Sequence, residues 1–233
     1  MRYPGGKGKV FQQLINLMPP HEVYIETHVG GGSVLRNKRP AKHSIAIDKD
    51  PAAINQLRSE GLECELVETD AVEFLRAYNF TGRELVFSDP PYPKETRRSR
   101  QRLYRHDYNA DDHRELLAML IALPCAVMIT SYDNPLYADV LKEWVRIDFR
   151  GVSHVGSRSE VAWLNFEPGM VHDHQYLGTS FRQREAFKRK RQRWLDRFTD
   201  LSLAEQQAVL SDFSEAFLAQ TSVSSYLEVS NER

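Results

Sequence analysis

The chain reads as an α/β protein built on a doubly wound, mostly parallel sheet, with a helical extension at its C-terminal end. Three observations predict this. Short β-branched and aromatic runs alternate with stretches of helical periodicity between residues 23 and 144. Acidic residues, Glu26, Asp48, Asp70 and Asp89, stand at or just past the ends of four successive predicted strands. Beyond residue 172 the strand signals stop and basic helical patterning takes over.

Taken in order, Val23–Glu26 reads as a first strand and is followed by a glycine-rich turn. Ser44–Asp48 is a second strand, and Pro51 suits the first turn of a helix that ends at Gly61. Glu65–Glu68 is a third strand, with a helix over Ala71–Tyr78 behind it. Glu84–Ser88 is a fourth and leads straight into Asp89-Pro90-Pro91-Tyr92. Asp111–Leu123 is helical, with Leu116, Leu117, Leu120 and Ile121 on one face. Cys125–Thr130 is a fifth strand, Pro135–Trp144 a helix, and Val145–Phe149 with Val161–Phe166 a closing antiparallel pair. The polar stretch Ser153–Ser159 between them reads as a hairpin tip. We place the domain boundary at residues 1–172 and 173–233. The second part carries a basic segment, Phe181–Phe198, then a helix opened by the capping box Ser202–Glu205, and a Ser-rich end expected to fray.

Composition narrows the class more than the activity. An apolar fraction of 41% supports an ordinary globular core, and a formal charge of −1 leaves partner choice to local patches. Cys64 and Cys125 lack metal-ligand spacing and read as reduced thiols. No apolar run reaches the ~18 residues a membrane helix needs. The N-terminal stretch has no apolar signal core, so a cytoplasmic location is expected. The histidines show no metal geometry, and no metal is expected.

The chemistry concentrates where strands end. Pro90 and Pro91 lack N–H groups and stop the sheet ladder, leaving their carbonyls free to accept. Asp89, those carbonyls and Tyr92 together suit a planar ring that bears an NH2 group. Gly30, Gly31 and Gly32, after the first strand, permit a tight turn and close approach of a ligand. Asp48 follows Gly30 by 18 residues. An acid so placed in this fold class holds ribose hydroxyls.

In order, these motifs resemble the Dam-like (D12 class) family of DNA adenine-N6 methyltransferases. The resemblance covers roughly residues 1–166 and implies a Rossmann-like S-adenosylmethionine-dependent methyltransferase sheet. It also implies that Tyr3, Gly6 and Lys7, in Tyr3-Pro4-Gly5-Gly6-Lys7, line the cofactor pocket. Glu26, His28, Gly30 and Gly32 form the turn beneath the cofactor, Asp48 binds the ribose and Asp70 reads the adenine amine. Asp89, Pro90, Pro91 and Tyr92 form the catalytic corner, with Tyr92 stacking on the base. Two departures stand out. Thr27-His28 replaces the family's Pro-Phe. Only 18 residues separate Asp70 from Asp89, where the family inserts a recognition domain.

The resemblance implies a DNA partner and a bacterial or phage setting, restriction-modification systems included. A target adenine must leave the duplex to reach such a corner. Six Lys/Arg lie between Lys94 and His106. Lys94, Arg97, Arg98, Arg100, Arg102, Tyr104 and Arg105 are therefore the expected nucleic-acid contacts. The eight Lys/Arg of Phe181–Phe198 fit a DNA-facing helix and a docked, outwardly charged helix equally. Three alternatives share these features: an RNA adenine methylase, a protein-glutamine methylase (disfavoured by Asp at 89 in place of Asn), and a binding module without turnover.

Overall fold

The computed structural model describes residues 7, 8, 10–93, 96, 105–153 and 156–230, with backbone alone at 150–153, 156–159 and 219–230. The expected segments Tyr3, Gly6, Lys94, Arg97, Arg98, Arg100, Arg102 and Tyr104 lie outside the described residues. Two compact units make up the chain, Met1–Tyr176 and Leu177–Arg233.

In the first unit a short helix, α1 (Phe11–Ile15), precedes β1 (Val23–Thr27). Then come β2 (His43–Asp48), α2 (Pro51–Ser59), β3 (Glu65–Glu68), α3 (Ala71–Ala77), β4 (Glu84–Ser88), α4 (Ala110–Ile121), β5 (Ala126–Tyr132), α5 (Pro135–Val140), β6 (Val145–Ser153) and β7 (Gly156–Leu164). The seven strands form one sheet in the order β3-β2-β1-β4-β5-β7-β6. β1 to β5 are parallel, and β7 runs antiparallel to β5 and β6. This is the expected Rossmann-like α/β architecture.

Local chemistry explains the helix starts. Asp50, Asp70, Asn109 and Asn134 are the N-caps of α2, α3, α4 and α5, each accepting from backbone N–H groups of the first turn. Pro51 and Pro135 follow their caps, where a missing N–H costs nothing. Asn109 and Asp112 close a reciprocal capping box.

Both sheet faces are covered, as parallel strands require. Ile25, Val86, Val127 and Ile129 face the side of α3, α4 and α5. Tyr24, Leu85, Phe87 and Met128 face α1 and the segment that reaches Tyr176. Strand order reverses between β1 and β4, so their carboxyl ends open a crevice.

Three segments depart from expectation. The stretch Ser153–Ser159 is mostly ladder and not a loop: Arg150↔Ser159, Gly151↔Arg158, Val152↔Ser157 and Ser153↔Gly156 are paired, and residues 154 and 155 lie outside those described. Extended backbone satisfies its own polar groups across a hairpin, and polar side chains do not prevent this. The helix at Pro135 ends at Val140, because Leu141 closes onto the Tyr137 carbonyl and leaves the helical region. In the second unit, α6 (Phe181–Thr199) is followed by α7 (Leu203–Ser230), which continues helical into the Ser-rich end. No described helix is long and apolar enough to cross a membrane.

Candidate active site

The crevice at the carboxyl ends of β1, β2 and β4 is lined by His28, Ile47, Asp48, Lys49, Thr69, Asp70, Ala71, Asp89, Pro91, His106 and Tyr108. Four expected site residues therefore meet here with Pro91: His28, Asp48, Asp70 and Asp89.

The glycine turn is built from backbone needs. His28, Gly30 and Gly32 have φ of 60°, 48° and 61°. For histidine this left-handed conformation costs energy, and such strain gathers at binding sites. Its ring is held on both sides: Nδ1 lies 3.0 Å from Thr27 Oγ1, and Nε2 2.8 Å from Tyr108 Oη. Burial pushes its pKa down to about 4, so the ring is neutral at physiological pH. A Cβ on Gly32 would fall 2.9 Å from Leu57 Cδ2, so the turn sits hard against α2.

Asp48 ties the turn to the second strand. Its Oδ2 accepts from Gly30 N at 2.8 Å and its Oδ1 from Asp50 N at 2.8 Å. Burial raises its pKa, against the pull of these two N–H groups. Asp70 both caps α3 and faces the crevice, with Lys49 Nζ 3.3 Å away. Burial works to raise its pKa, but the Val72 N–H and Lys49 outweigh it and hold the carboxyl below its usual range. Glu26 is not in the lining. It is 3% exposed beneath β1, where it accepts from Tyr24 Oη at 2.7 Å. Burial pushes its pKa up to about 8, which makes it a protonated core group at neutral pH.

At the end of β4 the chain changes from ladder to corner. Asp89 Oδ1 accepts from Thr130 Oγ1 at 2.7 Å and pairs with Lys7 Nζ at 2.7 Å. Asp89 lines the crevice beside Pro91. Lys7, only 5% exposed, also donates to Tyr92 Oη at 2.6 Å and lies 3.3 Å from Glu160 Oε2. Tyr92 Oη donates in turn to Glu160 at 2.7 Å.

The Tyr92 ring is 5% exposed, edge-on to Tyr132 at 4.5 Å and 4.6 Å from the Lys7 ammonium. It packs behind the corner and does not line the crevice, where the rings present are those of His28, His106 and Tyr108. Pro90 does not line the crevice. Arg105 pairs with Asp50, the N-cap of α2, at 3.3 Å.

Sequence reasoning missed Glu160, Tyr108 and His106, and placed Thr130 only as the end of the fifth strand. Glu160 carries a readable signal. An acid that starts the apolar run Val161–Leu164 in an antiparallel last strand lies beside Tyr132, at the same sheet edge as Asp89. Asp133 and Asn134 serve structure: Asp133 pairs with Arg146 and Asn134 caps α5.

No family model matches the chain, and no curated protein does. Solved structures do align with it. A 23S rRNA methyltransferase, ErmE, aligns at 13% identity and a TM-score of 0.46, over 72% of this chain and 71% of its own. The N-methyltransferase NodS of Bradyrhizobium japonicum, in complex with S-adenosyl-L-homocysteine, aligns at 15% identity and a TM-score of 0.48, over 67% of this chain and 86% of its own. An rRNA methylase of Streptococcus thermophilus aligns at 14% identity and a TM-score of 0.40, over 66% of this chain and 92% of its own. Likeness at this level carries no chemistry over to this chain; the fold rests on its own strand order.

Proposed function

We propose that this protein is an S-adenosylmethionine-dependent methyltransferase that acts on the N6 amine of adenine in DNA. One observation carries the reading: Asp89 lines the crevice beside Pro91 at the switch point of the sheet, its Oδ1 anchored by Thr130 and Lys7.

The crevice chemistry suits the cofactor. Asp48 and Asp70 offer carboxylates to ribose hydroxyls and an adenine amine, and Ile47 and Ala71 offer apolar surface to the purine. The turn after β1 contributes His28 to the same space. S-adenosylmethionine supplies the electrophilic methyl group there. The cavity holds about 50 Å3 with Tyr108 on His28. Binding sites for small molecules run to ~300 Å3 or more, so cofactor entry parts this contact.

The amine of adenine is a weak nucleophile because its lone pair is delocalised into the ring. Asp89 Oδ2 accepts one N–H, and a proline carbonyl of the corner accepts the other. The nitrogen is drawn toward tetrahedral geometry with its lone pair aimed at the methyl group. With Lys7 on Oδ1, Asp89 acts as an oriented acceptor and need not be a strong base. The base must leave the stack or come from a single strand. Between Asp70 and Asp89 there is room only for α3 and β4. We therefore expect short or relaxed sequence specificity, with basic residues about the corner holding phosphates.

The test is transfer of label from S-adenosylmethionine to duplex DNA, single-stranded DNA and RNA, for the wild type and Asp89→Ala. Label on DNA N6-methyladenine, at least ~100-fold lower in the variant, supports the reading. Label in RNA alone moves the substrate to RNA adenine. Cofactor binding without transfer to any of the three rejects the reading.

A further inference from the structure

Lys7 is shared between two carboxylates, and only one of them faces the crevice. Its Nζ is 2.7 Å from Asp89 and 3.3 Å from Glu160, with the three side chains 5%, 17% and 13% exposed. We propose that Glu160 is a positioning residue of this site: by competing for the Lys7 ammonium, it keeps negative charge on Asp89 at the target amine. The inference rests on the methyl-transfer reading above.

The physical argument follows from charge. A lone Lys7–Asp89 pair would be neutral at short range and would present almost no field to the substrate. Among the described residues, adding Glu160 sets two carboxylates against the one ammonium, in a site largely withdrawn from water, where screening is weak. During methyl transfer the amine nitrogen acquires positive charge, so a net negative cluster lowers the barrier while changing ground-state binding less.

Geometry supports a fixed arrangement. Glu160 is the β7 residue paired with Tyr132 of β5 and Phe149 of β6. Tyr92 Oη receives a proton bond from Lys7 and gives one to Glu160. Burial, then Asp89, then Glu160 drive the Tyr92 pKa well above its usual value, so it stays a neutral link. The Tyr92 ring packs under Lys7, so the ammonium cannot swing to Asp89 alone without leaving both contacts.

The experiment compares the wild type with Glu160→Gln, Glu160→Asp and Tyr92→Phe in steady-state methylation of DNA. Melting curves and cofactor affinity are measured for each. Gln keeps the shape and the acceptor for Tyr92 but loses the charge; Asp keeps the charge on a shorter arm. We expect kcat to fall roughly 10- to 100-fold in Glu160→Gln. Glu160→Asp and Tyr92→Phe should lose less, and KM for the cofactor should stay within about threefold. Glu160→Gln as active as the wild type, or more active than Glu160→Asp, overturns the proposal. So does a loss confined to KM or to melting temperature. A wild type that binds cofactor and methylates no nucleic acid overturns the methyl-transfer reading and this inference with it.

Discussion

At the scale of single residues, burial decides chemistry more than residue type. Glu26 and Asp89 are both acids near the carboxyl ends of neighbouring strands, yet they do different things. Glu26 points beneath the sheet, where loss of water lifts its pKa from an ordinary 4.5 to about 8. Asp89 meets Lys7 and Thr130 and faces the crevice. The first has a consequence for stability. The unfolded chain ionises Glu26 above about pH 4.5 while the folded chain holds its proton until about pH 8. Folding thus binds a proton across that window, and the stability Glu26 contributes is full below pH 4.5 and declines up to pH 8. Glu26→Gln removes this decline. Denaturant melts should show the variant gaining on the wild type between pH 5 and pH 8, by an amount on the order of a few kcal/mol. A constant difference across that range would show that Glu26 is charged in the folded state.

At the scale of elements, the turn after β1 shows how a site is made from backbone. Gly32 combines a φ of 61° with a contact that a Cβ would make at 2.9 Å to Leu57 of α2. Gly32→Ala should therefore cost about 1–3 kcal/mol in thermal unfolding. It should weaken cofactor affinity as well, since the turn carries Gly30 N onto Asp48. Gly61, at φ 67°, has nothing within 4 Å of an added Cβ. Gly61→Ala should cost only the backbone strain, about 1 kcal/mol, and leave cofactor affinity unchanged. Equal losses of affinity in the two variants would disconnect the turn from the site.

For the whole molecule, the three apolar clusters are all drawn from residues 10–176. α6 buries no residue, and Phe181, Trp194 and Leu195 are each more than half exposed. A chain ending at Tyr176 should accordingly keep a single cooperative melt, within a few degrees of the full chain. A collapse of that melt would show that α6 and α7 contribute to the core. The same truncation removes eight Lys/Arg from α6. Comparing the salt dependence of DNA affinity in the two chains then tests whether that helix contacts phosphates at all: equal slopes would show that it does not.

Much of this protein is legible without coordinates. Period-two and period-3.6 apolar patterns mark strands and helices because each must bury one face or stripe. Aspartates and asparagines before Pro51, Ala71, Ala110 and Pro135 mark helix starts, because a first turn has orphan N–H groups. The clustering of His28, Asp48, Asp70 and Asp89 follows from parallel strands, which bring all their carboxyl ends to one edge. Three things needed the tertiary structure. Which face each side chain takes could not be read locally, and it separates Glu26 from the crevice. Long-range pairing puts Glu160, 71 residues after Asp89 in sequence, onto Lys7 and Tyr92. The path of the chain after the corner brings Tyr108 onto His28. In each case the decisive contact joins residues far apart in sequence, and only the packed sheet sets their distance.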